Sequence, residues 1–207
     1  MKRTIALLSV FFLLLTTVCG QQLSEAQVIQ KINQAASAMK TMQCDFVQTK
    51  HLKLLNDDMV AHGKMRYQQP NKLRWEYTSP YAYIFILNGD KVLLKNRQRN
   101  DVIDVKQNKL FREIARIMMS SVVGDCLADS KNFKTTIATV GGEWIATLVP
   151  QRKDMKQMFQ KMLLHFNQKK AFVTRVELVE KNGDKTVIDL KNVRTNETIG
   201  AQQFTVR

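Results

Sequence analysis

The side chains in this 207-residue sequence that could do covalent or metal chemistry are three histidines, His51, His62 and His165, and a few cysteines. Each histidine stands singly in a predicted strand or at its end, with no carboxylate or second histidine at metal-ligand spacing. No G-x-S-x-G elbow, H-E-x-x-H pair, P-loop or C-x-x-C motif occurs. A Ser/His/Asp set drawn from distant parts of a chain is recognised by geometry rather than order. Nothing in the spacing here points to one, so the expectation is no catalytic residue, no metal and no enzyme. An exported enzyme acting on lipid or glycan is one rival class. Cys44 and Cys126 leave two readings open, a disulfide between them or two buried thiols packed as small hydrophobes.

The chemistry on offer is burial. The chain holds 10 Met and 10 Phe with only 8 Gly, and Met118, Met119, Met155, Met158 and Met162 gather in its second half. Unbranched, polarizable thioethers repack around ligands of irregular shape, which suits a greasy pocket; ordinary core filling is the plainer reading.

These residues need elements to position them. Ser24 with Gln27 forms a capping-box pattern ahead of Val28, Ile32, Ala35, Ala36 and Met39, one face of a helix. Strands are predicted over 43–50, 60–67, 72–78, 83–87, 91–96, 101–105, 133–140, 143–149, 161–167, 172–180, 186–193 and 203–206. Asn88-Gly89, Gly141-Gly142 and Asn182-Gly183 supply hairpin turns. In the third strand Leu73, Trp75 and Tyr77 share one face, while Arg74, Glu76 and Thr78 share the other. Leu110, Phe111, Ile114, Ile117, Met118 and Val122 give a second amphipathic helix ending at Gly124. Residues 151–160 read as a short helical turn or a loop. The pattern predicts one α+β, mainly β domain: a strongly bent antiparallel sheet of roughly ten strands, or incomplete barrel, with helices over its concave face.

Composition and charge place the chain. With 44% apolar and 24% charged residues it is a folding sequence, and a formal net charge of +14 would ordinarily raise nucleic acid as a partner. Residues 1–20, however, have Lys2 and Arg3 ahead of an apolar run over 4–15 and a small-residue end at Val18-Cys19-Gly20. This is a signal peptide with cleavage expected after Gly20. Val18 argues against the rival reading of a lipoprotein signal at Cys19. The mature domain, 21–207, keeps a charge of +12 after loss of Lys2 and Arg3, in a compartment where anionic headgroups or acidic proteins replace nucleic acid as partners.

Gly63-Lys64-Met65-Arg66-Tyr67-Gln68-Gln69-Pro70-Asn71-Lys72-Leu73-Arg74-Trp75, then Pro80 and Asn88-Gly89-Asp90, resembles the signature of the bacterial outer-membrane lipoprotein carrier (LolA) family. Phe46-Val47-Gln48 matches the family's first strand. The resemblance implies a cofactor-free, monomeric periplasmic carrier in a Gram-negative bacterium. Its partners would be acylated lipoproteins or lipid, an inner-membrane release complex and an outer-membrane receptor. Phe46, Met65, Tyr67, Leu73, Trp75 and Tyr77 would line the cavity, and the helix from Leu110 to Val122 would be its lid. The family's usual Arg before the signature Pro is Gln69 here, which implies a different lid latch. A paralogue carrying another lipid, or a lipid-sensing interaction module, are the alternatives.

Overall fold

The computed structural model describes residues 23–55, 57–107, 119, 127 and 129–207. Eleven antiparallel strands form one open sheet in the order β6-β5-β4-β3-β2-β1-β11-β10-β9-β8-β7. They are β1 (Thr41–His51), β2 (Met59–Gln68), β3 (Lys72–Ser79), β4 (Tyr83–Asn88), β5 (Lys91–Asn96), β6 (Asn100–Asp104), β7 (Phe133–Val140), β8 (Glu143–Pro150), β9 (Phe159–Asn167), β10 (Val173–Glu180) and β11 (Lys185–Thr195). Two meanders meet where β1 pairs with β11, with Phe46 opposite Leu190.

Consecutive strands β6 and β7 therefore lie at opposite edges. Ten inter-strand steps of about 4.8 Å separate them by roughly 48 Å along the sheet. The chain between them covers residues 105–132. Its described residues Val105, Met119 and Leu127 pack in the cluster on the concave face. Helix α1 (Glu25–Ala38) lies on that same face, burying Val28, Ile32 and Ala36. Ser24 caps it as the pattern predicts: its hydroxyl accepts from the Gln27 N–H, and the Gln27 side chain accepts from the Ser24 N–H.

Residues 151–160 resolve into a short helix α2 (Lys153–Met158), with Met155 buried. The expected terminal strand at 203–206 is not formed. Ala201–Phe204 is a 3-10 turn, and Phe204 packs with Ile86 and Leu93 on the convex face. Arg74 and Asn88 side chains donate to the Gln203 and Phe204 carbonyls at 3.4 and 3.0 Å. Side-chain donors on β3 and β4 thus satisfy backbone that a strand would have paired. No described helix is long and apolar enough to cross a membrane.

Candidate functional site

Alternation along β1 to β5 sends every second side chain to the concave face. Cys44 sits opposite Met65, Met65 opposite Trp75, Tyr67 opposite Leu73, and Trp75 opposite Phe85. Phe46, Met65, Tyr67, Leu73 and Trp75 are all buried there in one cluster, with Tyr77 half-buried against it. The six sequence-expected residues are therefore brought together. Val28, Ile32 and Ala36 of α1 and Met39 just beyond it belong to the same cluster, as do Met42, Met155 and Met162. Of the other clustered methionines, Met119 packs against it, Met158 is exposed, and Met118 lies outside the described residues.

Aromatic packing orders the middle of the face. Phe46 stacks on Trp75 at a centroid distance of 4.4 Å and meets Tyr77 edge-on at 5.2 Å. Tyr77 continues the series to Tyr81 at 5.7 Å, and its hydroxyl donates to Gln48 Oε1 at 2.9 Å. Burial pushes the Tyr77 phenol above its ordinary value. Gly63 makes the stack possible, because a Cβ there would stand 2.2 Å from Phe46 Cζ and 2.2 Å from the Glu76 carbonyl oxygen.

Helix α1 is tied to the sheet by polar contacts at its two ends. At the start, the Glu25 carboxylate accepts from the Ile137 N–H of edge strand β7. At the finish, Gln69 Nε2 donates to the Ala36 and Ser37 carbonyls at 3.2 and 3.4 Å. Gln69 thus caps the C-terminal carbonyls of α1, groups every helix leaves unpaired. The sequence places the residue; which helix it holds is visible only in the structure. Leu110, Phe111, Ile114, Ile117, Met118 and Val122, the expected lid helix, lie outside the described residues, as does Cys126.

Cys44 is a free, buried thiol. Burial, then the neighbouring Asp45 charge, pushes its pKa from an ordinary 9.0 to about 12. Such a thiol is inert near neutral pH.

The histidines are not assembled. His51 pairs with Asp58 at the end of β1 and His62 is exposed on β2. His165 lies three strands from β1, and it is not alone as its spacing implies: its ring nitrogens stand 3.1 Å from Glu143 and 3.3 Å from Glu177. Lys185 and Thr174 complete this convex-face network. Cross-strand pairing of residues on β8, β9, β10 and β11 creates it, which is why single-residue spacing misses it. No described group of three or more His, Cys, Asp or Glu residues could hold a metal ion.

An antiparallel sheet with one continuous apolar face under a polar-tied helix can bury flexible hydrocarbon. A family model described as "Outer membrane lipoprotein carrier protein LolA" matches residues 37–207. The chain belongs to this LolA family. A protein of Nitrosospira multiformis called outer-membrane lipoprotein carrier protein is 25% identical over 196 residues, covering 94% of this chain and 88% of the relative. One of the same description from Pseudomonas syringae pv. syringae is 27% identical over 142 residues, 69% of this chain, and the match spans 65% of that relative's length. Among solved structures, an uncharacterized conserved protein from Thermus thermophilus superposes with a TM-score of 0.54 at 8% identity, covering 86% of this chain and 91% of that one. MucB superposes with a TM-score of 0.50 at 11% identity over 88% of this chain and 63% of that one. Those two likenesses show a shared fold and nothing more.

Proposed function

We propose that this chain is a periplasmic carrier that shields lipoprotein acyl chains on the concave face beneath α1. It ferries them from an inner-membrane release complex to an outer-membrane receptor. The observation that carries the reading is the continuous apolar face, from Leu87 on β4 through Trp75 and Phe46 to Leu164 on β9, closed by α1. Family membership and the names of the curated relatives support it.

The energetics favour cargo over lid. The buried side chains of Val28, Ile32 and Met39 contribute roughly 1.5–3 kcal/mol each, or about 5–9 kcal/mol together. One acyl chain of about 15 methylenes gains about 12 kcal/mol at ~0.8 kcal/mol per CH₂. Cargo can therefore displace the helix, and refolding of the helix onto the sheet offsets part of the binding energy at release. This differential is what lets a tight binder hand its load on.

Native mass spectrometry of protein purified from the periplasm tests the reading. The expected result is a chain beginning at residue 21 bound to an acylated lipoprotein, with no adduct when the cargo's acylated cysteine is replaced. A chain that retains its first 20 residues, or one that carries unacylated cargo equally well, contradicts it.

A further inference from the structure

One end of the sheet carries a surface that the carrier reading leaves unused. Register puts His51 opposite Lys185, Lys50 opposite Met59, Tyr77 opposite Tyr83 and Glu180 opposite Phe159. The β1–β2, β3–β4 and β10–β11 turns and helix α2 therefore share that end. Large apolar side chains stand out from it. Leu54 is 94% exposed and Leu55 58% exposed in the β1–β2 connection, Met59 and Val60 open β2, Tyr81 sits between β3 and β4, and Met158 ends α2. A lone exposed leucine is ordinary, whereas apolar tips gathered at one end of a fold mark an interaction surface.

The connections that carry them are braced. The Lys53 N–H donates to Asp184 Oδ1 at 2.9 Å, Lys50 pairs with Glu180 at 3.4 Å, and the Lys181 N–H donates to the Met158 carbonyl at 2.8 Å. Beside Met158 an open groove of about 700 Å³ is lined by that residue with Phe159, Leu178, Glu180 and Lys181 among others. The surrounding cations are uncommitted: Lys53, Lys156, Lys161 and Lys181 are exposed and in no ion pair among the described residues. Of the nearby carboxylates Asp58 is engaged by His51, Glu180 by Lys50, and Asp184 by the Lys53 N–H and Asn182, which leaves Asp57 as the exposed exception.

We propose that this end of the sheet docks on an anionic lipid bilayer, with Leu54 and Leu55 entering the interfacial zone beside Met59, Tyr81 and Met158. Lys53, Lys156, Lys161 and Lys181 then meet the headgroups. Projecting apolar tips ringed by free cations have the pattern of interfacial insertion, whose strength combines apolar burial with attraction to anionic lipid. A second copy of the chain would set the same lysines against each other. The aromatic series from Tyr81 through Tyr77 and Phe46 to Trp75 runs from this end into the concave face. The docking inference does not rest on the carrier reading, since empty protein should bind.

The test is co-sedimentation of the full mature chain with mixed phosphatidylglycerol–phosphatidylcholine vesicles and with phosphatidylcholine alone. Binding is expected only to the anionic vesicles and should weaken as salt rises. The double variant Leu54→Asp/Leu55→Asp should bind at least about tenfold more weakly with an unchanged urea midpoint, because both side chains are exposed. A Leu54→Trp variant should show a blue-shifted emission on anionic vesicles only. Wild-type protein that sediments with neither vesicle, or equally with both, overturns the inference. So does an aspartate variant that binds like wild type, or a surface that engages only a protein partner.

Discussion

On the proposed carrier reading Gln69 holds α1 closed over the concave face, and its replacement should change cargo affinity and stability in opposite senses. Its two bonds to the Ala36 and Ser37 carbonyls, at 3.2 and 3.4 Å, are long, one half-buried and one exposed. Together they contribute about 1 kcal/mol net. Gln69→Leu keeps the side-chain bulk and removes the donor, so the closed form should lose about 1 kcal/mol, a factor of about 5. If the open form is the minor one, apparent affinity scales with its population, and the Kd for an acylated peptide falls about fivefold. Gln69→Arg supplies charged donors to a helix C-terminus, so the closed form gains and the Kd rises. Fluorescent fatty-acid displacement by an acylated peptide, with urea unfolding alongside, reads both quantities. A Gln69→Leu protein that loses stability while its Kd stays unchanged would refute the latch, as would tighter binding by Gln69→Arg.

Two further outcomes follow from packing. Gly63→Ala should destabilise the fold by about 1–3 kcal/mol, because its methyl meets backbone oxygen as well as the Phe46 ring; a urea midpoint within about 0.5 kcal/mol of wild type would contradict this. Cys44, with its thiol pushed up to about 12, should make the protein lose stability in alkali. The unfolded thiol ionises above 9.0 while the folded one stays neutral, so stability is full below pH 9 and falls by roughly 1.4 kcal/mol per pH unit up to about 12. Urea midpoints at pH 8 and pH 10 should show this loss in wild type and not in Cys44→Ala; parallel pH profiles would count against it.

Local signals in the chain carried far. The Ser24 capping box, the β5 and β7 limits and the glycine turns are short-range chemistry; Gly89, for instance, takes the positive φ of 61° that its turn requires. Alternation in 72–78 identified Leu73, Trp75 and Tyr77 as one face. Long-range pairing was not legible. Nothing local specifies that β1 joins β11, that Glu25 meets Ile137, that Gln69 holds α1, or that Glu143, His165 and Glu177 converge. The 203–206 segment reads as a strand because Phe204 and Val206 alternate, yet Phe204 plugs the convex face over Ile86 and Leu93. The Leu54-Leu55 pair was hidden beside the polar turn residues that follow it.

The most direct test of the central claim is site-specific photo-crosslinking in the periplasm from a photoreactive residue in place of Trp75 on the concave face, compared with one in place of Lys64 on the convex face. The account predicts adducts with acylated lipoprotein from position 75 and none from position 64, with the position 75 adduct lost when the cargo is not acylated. Equal labelling from both faces, or labelling from position 75 that persists with unacylated cargo, would contradict it.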